Sequence, residues 1–240
     1  MTTPTHAPVA IVGTGPGLGG ALAARFAAEG FPLALLSRHA DSRQPVLDAL
    51  AAAGHTACGH DCDAGDPASV AAAFAGIRAR QGAPGVLIYN AGAFLRGGIL
   101  ELDLADFEAA WRINCYGALL AAREVLPTML AAGAGTLLFT GATAALRGGA
   151  GFAGLAVGKF GLRALAQSLA REFGPRGIHV AHVIIDGQID SPRTRARDPG
   201  HAVTEFLDPA AIAESYWHLH RQPRSAWTQE LDLRPSSEHF

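Results

Sequence analysis

The chain has 240 residues, of which 49% are hydrophobic and 17% are charged, and this composition excludes a largely disordered protein. A formal net charge of −2 excludes the strongly basic surface that nucleic acid or an anionic membrane attracts. No apolar run reaches the roughly 18–20 residues of a membrane span, and the first residues lack the basic and apolar regions of a signal peptide.

Short apolar segments alternate with segments of helical periodicity. In chain order the predicted elements are strand 8–13, helix 17–30, strand 32–38, helix 44–54, strand 55–61, helix 66–82, strand 85–92, helix 104–132, strand 135–143, helix 152–174, strand 178–186 and strand 229–235. Strands separated by helices form βαβ units, which build a parallel sheet covered on both faces. The pattern therefore predicts an α/β fold: a single doubly wound Rossmann-type domain over 1–240 with a mostly parallel seven-stranded sheet.

The stretch 187–224 interrupts this alternation because it is rich in Pro, Arg, Asp and His. It follows the sixth strand, at the edge of the sheet where open α/β proteins bind ligands. We interpret it as an irregular lid or substrate loop, with a mobile surface loop as the alternative. Its aromatic and basic part, 215–227, leaves three interpretations open: a contact with a partner, the rim of a pocket, or internal packing.

A glycine-rich turn joins the first strand to the first helix. Glycine permits a tight turn, the close approach of a pyrophosphate and close packing of the helix on the strand. The start of the helix adds free N–H groups and the positive end of the helix dipole. This context favours dinucleotide binding by the residues of the turn, which are Gly13, Gly15, Gly17, Leu18 and Gly19.

The end of the second strand carries Ser37 and Arg38. An enzyme selective for NAD has an acid there for the ribose 2′-hydroxyl, and an acid would repel the 2′-phosphate of NADP. An arginine binds that phosphate through charge-assisted hydrogen bonds. We therefore favour NADP(H) over NAD(H), with an ordinary exposed loop arginine as the alternative.

Several further motifs follow in an order that resembles the short-chain dehydrogenase/reductase family, classical type, over essentially the whole chain. The matching positions beyond the glycine turn are Asp63, Asn90, Ala91, Gly92, Asn114, Lys159 and 186–190. The resemblance implies that Asp63 contacts adenine and that the segment 90–92 lines the ribose of the adenosine. It also implies that Ile189 presents its backbone to the nicotinamide carboxamide. Asp186 stands where the family has a proline.

Lys159 is the only lysine of the chain, in which Lys and Arg together number 19. The resemblance implies that this lysine binds the ribose hydroxyls of the cofactor and that Asn114 holds a water in a proton relay. A compact ammonium suits such a position better than a guanidinium does. We therefore predict Lys159, Asn114 and Thr143 as the catalytic residues.

Two positions depart from the family. The tyrosine expected four residues before Lys159 is Leu155, and the serine expected on the fifth strand is Ala142, next to Thr143. Positions four apart on a helix share one face, so Leu155 is expected to line the same pocket as Lys159. The family's proton donor is therefore missing. The candidates to replace it are Thr143, Tyr116, Lys159, Asp186 and Asp190.

Two functions remain open. The first is an NADP(H)-dependent oxidoreductase with a non-standard proton donor, acting on an apolar small-molecule carbonyl, alcohol or related substrate. The alternative is a dinucleotide-binding protein of the same fold without redox activity: a sensor, a partner subunit, or an isomerase or cyclase. Lys159 and Asn114 favour the first, whereas Leu155 and Ala142 favour the second. The resemblance also implies a homodimer or homotetramer.

Three cysteines without a CxxC pattern favour a cytoplasmic protein without a disulfide framework. Cys58, His60 and Cys62 alternate along a predicted strand and share a face. A buried strand with small side chains explains this alternation better than a metal site does. We therefore expect no metal, no nucleic-acid partner and no membrane partner.

Overall fold

The computed structural model describes residues 6–197, 200 and 205–237. The strands are β1 (Val9–Val12), β2 (Leu33–Ser37), β3 (Ala57–Asp61), β4 (Val86–Tyr89), β5 (Gly135–Thr140), β6 (Ile178–Ile185), β7 (Gln188–Ile189), β8 (Phe206–Leu207) and β9 (Glu230–Leu233). The helices are α1 (Leu18–Ala28), α2 (Ala40–Ala52), α3 (Pro67–Gln81), α4 (Leu104–Trp111), α5 (Gly117–Ala132), α6 (Ala153–Phe173), α7 (Pro192–Arg197) and α8 (Pro209–Arg221).

The main sheet has seven parallel strands in the order β3-β2-β1-β4-β5-β6-β9. One apolar core lies between the sheet and α3, α5 and α6, and a second lies between the sheet and α1, α2 and α8. The strand order reverses between β1 and β4, which is where doubly wound folds bind ligands. The predicted fold class is therefore confirmed. Among the described helices, none is long and apolar enough to cross a membrane.

Local signals predicted α3 well and α2 less well. Asp66 caps α3 by accepting hydrogen bonds from the N–H groups of Ala68 and Ser69, and Gly82 ends the helix with φ of +89°. The helix α2 begins at Ala40, four residues before the predicted start, and includes Pro45. Proline is common at the start of a helix, so the sequence suggested a start near Pro45, but here the helix tolerates the missing N–H inside it.

The predicted helix 104–132 is interrupted by a π-helical segment, Arg112–Tyr116, between α4 and α5. Asn114 lies in this segment and is fully buried. A π-helical segment inside an α-helix bulges the backbone and is frequent at functional sites. The bulge therefore sets Asn114 apart from the regular helix on either side.

The irregular interpretation of 187–224 is wrong for Pro209–Arg221, which forms α8. This helix buries one apolar face, and Trp217 packs edge-on against Phe26 of α1 with ring centroids 5.4 Å apart. Packing is therefore the observed role of the buried aromatic residues of 215–227. Residues 198–199 and 201–204 of the predicted lid lie outside the described residues, as do 1–5 and 238–240.

Candidate active site

The glycine turn packs against the segment that follows β4. Gly13 has φ of +93°, and a Cβ atom at this position would lie 2.4 Å from the backbone nitrogen of Ala91. A Cβ atom at Gly19 would lie 2.7 Å from the carbonyl oxygen of Gly13. The close approach therefore requires glycine at both positions. Gly17 and Leu18, at the start of α1, line a large cavity.

Asn90 connects the glycine turn to β5. Its Nδ2 donates to the carbonyl oxygen of Gly13 at 2.9 Å, and its Oδ1 accepts from the hydroxyl of Thr140 at 3.1 Å. The Thr140 hydroxyl also lies 2.8 Å from the hydroxyl of Tyr216, which reaches in from α8. These bonds fix the ends of β1, β4 and β5 relative to one another.

A cleft of about 180 Å³ lies on one side of this junction. Six of its lining residues were predicted to bind the cofactor: Gly13, Ser37, Arg38, Asp63, Ala91 and Gly92. The structure thus brings these predicted cofactor-binding residues together at the carboxyl ends of β1 to β4. We call this cleft the adenosine cleft, after the ligand that the resemblance implies for Asp63 and the segment 90–92. The carboxylate of Asp63 accepts a hydrogen bond from the N–H of Gly65 at 2.9 Å.

Arg43, which the sequence did not indicate, connects the ends of β2 and β3 beside this cleft. Its Nη1 donates to the hydroxyl and carbonyl oxygens of Ser37, and its Nη2 donates to the carboxylate of Asp61. The hydroxyl of Ser37 itself donates to the carbonyl oxygen of His39 at 2.8 Å. Ser37 and Asp61 are register partners in β2 and β3, so the arrangement depends on strand pairing. No motif within one segment of the sequence reveals it.

Lys159 lies in α6 and is only 6% exposed. Its Nζ donates to the carbonyl oxygen of Thr140 at 2.8 Å and lies 3.6 Å from the position of a Cβ atom on Gly92. Desolvation by burial lowers the pKa of Lys159 to about 8. The remaining N–H donors of the ammonium are available to a ligand in the large cavity, which Lys159 lines.

Asn114 holds the chain that follows β4. Its Nδ2 donates to the carbonyl oxygen of Ala93 at 2.8 Å, and its Oδ1 accepts from the N–H of Ala93 at 3.2 Å. Both ends of the side-chain amide are therefore used to fix one residue of the cavity wall. A Cβ atom on Gly158 would lie 2.5 Å from the Cβ atom of Asn114, so α6 packs closely on the π-helical segment.

The large cavity has a volume of about 770 Å³ and lies at the carboxyl ends of β4, β5 and β6. Lys159, Leu155, Ala142 and Thr143 all line it, as the sequence predicted for the first two. Segments after β6 form one wall through Gly187, Gln188, Ile189, Ser191, Thr194 and Arg197. The two positions that depart from the family are therefore apolar surfaces of the cavity.

The structure separates the five candidate proton donors. Thr143, Lys159 and Asp186 line the large cavity, whereas Tyr116 and Asp190 do not. Tyr116 stacks on Trp111, with ring centroids 5.8 Å apart, and Asp190 forms an ion pair with Arg195. Tyr89 and Tyr216 lie in the core, and burial raises the pKa of both phenols. All three tyrosines are described, and none lines the cavity.

A model of the short chain dehydrogenase family matches residues 7–201, which include every residue that lines the large cavity. A short-chain type dehydrogenase/reductase of Sinorhizobium fredii is 33% identical over 167 residues, covering 68% of this chain and 66% of that protein. A solved short-chain dehydrogenase from Rhodopseudomonas palustris is 41% identical with a TM-score of 0.83, covering 95% of this chain and 98% of that one. A metagenomic short-chain oxidoreductase solved in complex with NADP is 26% identical with a TM-score of 0.84, covering 98% of this chain and 100% of that one.

Proposed function

The chain belongs to the short-chain dehydrogenase/reductase family, and we propose that it is an NADP(H)-dependent oxidoreductase with a non-standard proton donor. The proposed substrate is a small, mostly apolar carbonyl compound, alcohol or related molecule. Apolar side chains of the large cavity support this class, among them Phe94, Phe152 and Leu155.

The observation that carries the proposal is the position of Lys159 between the two clefts. Gly92 lines both the adenosine cleft and the large cavity, and the ammonium of Lys159 is next to Gly92. A dinucleotide that reaches from one cleft into the other would pass this point. The ribose hydroxyls would then accept hydrogen bonds from the ammonium of Lys159. These bonds would offset part of the free-energy cost of burying the ammonium.

The choice of NADP(H) rests on Arg38. Within the described part of the chain no carboxylate pairs with this arginine, although it lines the adenosine cleft. The neighbouring carboxylate of Asp61 is bound by Arg43 instead. Arg38 is therefore available to a 2′-phosphate, and the metagenomic relative with bound NADP has the same fold.

Each of several residues at the cavity has a separate role in the proposed reaction. When bound, the nicotinamide supplies or accepts the hydride. Lys159 holds the ribose, the backbone of Ile189 orients the carboxamide, and Asn114 fixes the cavity wall through Ala93. Leu155 excludes water from the reacting face. Thr143 is the proposed group that gives or takes the proton of the substrate oxygen.

Two measurements on the purified protein test this proposal. Direct titration with NADPH and with NADH measures binding, and loss of NADPH absorbance measures turnover with ethyl acetoacetate, cyclohexenone and pyrroline as ketone, enone and imine. We expect NADPH to bind more tightly than NADH, and Arg38→Gln to weaken NADPH binding about 10- to 100-fold. The control Arg80→Gln, on the far end of α3, should leave binding unchanged. Failure to bind NADPH contradicts the proposal.

The second candidate function is dinucleotide binding without redox chemistry. Leu155 and Ala142 favour it, because they line the cavity with apolar groups at the two positions where the family has hydroxyls. Loss of a positioned general acid typically slows a reaction about 10²- to 10⁴-fold. Tight NADPH binding without turnover of any of the three compounds would support this candidate and exclude the reductase for those substrate classes.

We also propose that the chain acts as one dinucleotide-binding domain in the cytoplasm and that its segment after β6 closes over the bound ligand. The lid is supported by the five residues of this segment that line the cavity, which are Gln188, Ile189, Ser191, Thr194 and Arg197. Three free cysteines support the location. A homodimer or homotetramer is supported by large apolar side chains exposed on α6 and around the start of α4. These are Ile99, Leu100, Leu104, Val157 and Phe160.

A further inference from the structure

Three neighbouring strands, β5, β6 and β9, carry polar side chains at their carboxyl ends. Thr143 follows β5 by three residues, Asp186 follows β6 directly and Arg234 follows β9 directly. The hydroxyl of Thr143 donates to Oδ1 of Asp186 at 2.5 Å, and Nη1 of Arg234 lies 3.4 Å from Oδ2 of Asp186. The three side chains therefore form one connected row across the sheet.

Thr143, at one end of the row, faces the large cavity, and Asp186, in the middle, is buried. Thr143 and Asp186 line the large cavity, whereas Arg234 does not and stands behind the carboxylate. Asp186 is only 5% exposed, and its backbone is fixed by the hydrogen bond from its N–H to the carbonyl oxygen of Leu233 at 2.8 Å. A carboxylate buried at a ligand-binding edge is costly unless it is paired, and such groups are candidates for a functional role.

We propose that Thr143 replaces the family's missing tyrosine as the group that exchanges a proton with the substrate, and that Asp186 stores that proton behind it. This inference rests on the proposed function. Asp186 acts through Thr143 and is therefore a positioning residue that also accepts the proton. Arg234 supplies a counter-charge that Asp186 shares with Asp232.

The atoms balance in both directions. In alcohol oxidation the substrate O–H bond breaks as its proton passes to Oγ1 of Thr143, and the proton of Thr143 passes to Oδ1 of Asp186. The hydride leaves the carbinol carbon for NADP⁺, and the electron pair of the O–H bond forms the carbonyl π bond. In reduction the hydride comes from NADPH, and the proton returns from Asp186 through Thr143 to the substrate oxygen. The proton of Asp186 is exchanged with water between turnovers.

Three conservative variants of the holoenzyme test the row. Thr143→Val removes the hydroxyl at constant size, and Thr143→Ser keeps it. Asp186→Asn keeps an oxygen that accepts from Thr143 but no longer takes up a proton, so it separates orientation from proton transfer. Glu214→Gln is the matched control, because Glu214 is also ion-paired, with Arg25, but lies on α8 and does not line the cavity.

The readouts are kcat and KM for whichever of ethyl acetoacetate, cyclohexenone and pyrroline the wild type reduces fastest, the solvent isotope effect on kcat, and the dissociation constant of NADPH. We expect Thr143→Val and Asp186→Asn to lower kcat about 10²-fold or more with KM nearly unchanged. The solvent isotope effect of Asp186→Asn should rise because proton transfer becomes rate-limiting. Thr143→Ser should recover most of the activity, and Glu214→Gln should match the wild type.

Two results would overturn the inference while leaving the oxidoreductase in place. One is wild-type kcat in both Thr143→Val and Asp186→Asn. The other is a loss that appears in the NADPH dissociation constant with kcat unchanged, because the pair would then hold the cofactor rather than move a proton. A wild type that binds no NADPH overturns the proposed oxidoreductase and this inference with it. A wild type that binds NADPH and reduces none of the three compounds excludes both for those substrate classes.

Discussion

At the scale of single residues, Lys159 shows what burial does to a charge. The residue is 6% exposed, and among the described residues its ammonium has one hydrogen-bond acceptor, the carbonyl oxygen of Thr140. Desolvation lowers its pKa to about 8, whereas an arginine would keep its charge at any ordinary pH. At this position the charge of a lysine therefore depends on pH, whereas the charge of an arginine would not.

The first prediction follows from that pKa. In the proposed function the charged ammonium binds the ribose, so NADPH affinity should be constant below about pH 8 and fall about tenfold per pH unit above it. Lys159→Met should bind NADPH more weakly at every pH and lose this dependence. Isothermal titration between about pH 6.5 and about pH 9.5 measures both. The control Arg38→Gln should keep the fall above pH 8, and a wild-type affinity that stays flat across the range would contradict the prediction.

At the scale of elements, the glycines before and after α1 show two different reasons for glycine. Gly13 combines a positive φ with a close backbone neighbour, Ala91, whereas Gly30 has φ of +83° with no atom within 4 Å of its Cβ position. Gly13 is required because its φ is positive and because a Cβ atom would clash with Ala91. Gly30 is required only because its φ is positive.

The second prediction compares these glycines. Gly30→Ala should lower the free energy of unfolding by about 1–2 kcal/mol, the cost of a left-handed backbone for a residue with a Cβ atom. Gly13→Ala should cost more and should also abolish NADPH binding, because the turn must move away from Ala91. Urea denaturation and NADPH titration measure the two effects. Equal losses of stability in the two variants would show that the close approach contributes nothing.

Sequence patterns predicted the elements and the residues of the site to different degrees. Alternating strands and helices predicted the sheet, and the spacing of Leu155 and Lys159 predicted that they share the cavity. Arg43, Asp186 and Arg234 acquire their partners only through strand register, which no local pattern contains. The helix α8 was missed because its Pro, His and Arg content resembles a loop, although its aromatic residues pack on α1.

At the scale of the whole molecule, several histidines are buried in uncharged form. Desolvation lowers the pKa of His182 and of His220 to about 4, and it lowers the pKa of His60 and His179 as well. The unfolded chain, with histidine pKa near about 6.5, then binds more protons than the folded chain below that pH. Their contribution to stability is present above about pH 6.5 and is lost as the pH falls towards 4.

The third prediction is therefore a steep loss of stability on mild acidification. The free energy of unfolding should fall between about pH 6.5 and about pH 4, with each of these histidines contributing up to about 1.4 kcal/mol per pH unit. His220→Leu should make the slope shallower, because this variant removes one of the buried imidazoles. Urea denaturation at several pH values measures the slopes. A stability that does not change over this range would contradict the prediction.

The fourth prediction concerns assembly. Val157 and Phe160 are 48% and 42% exposed on α6, close to the exposed Ile99. Apolar patches of this kind mark protein interfaces. The double variant Val157→Glu and Phe160→Glu should shift the proposed oligomer to a monomer in light scattering after gel filtration, whereas Ala53→Glu at the end of α2 should not. A wild type that is already monomeric would exclude the assembly.

The edge strand β9 affects the order in which two ion pairs of the fold can form. Glu230 at its start binds Arg163 of α6 through two hydrogen bonds of 2.6 and 2.7 Å, and Arg234 after its end pairs with Asp186. Both ion pairs are made by the last strand of the chain. During synthesis, the residues of the cavity and of the glycine turn are therefore added to the chain before Arg234, which pairs with Asp186. In the proposed mechanism, the row of Thr143, Asp186 and Arg234 is therefore complete only when β9 pairs with β6.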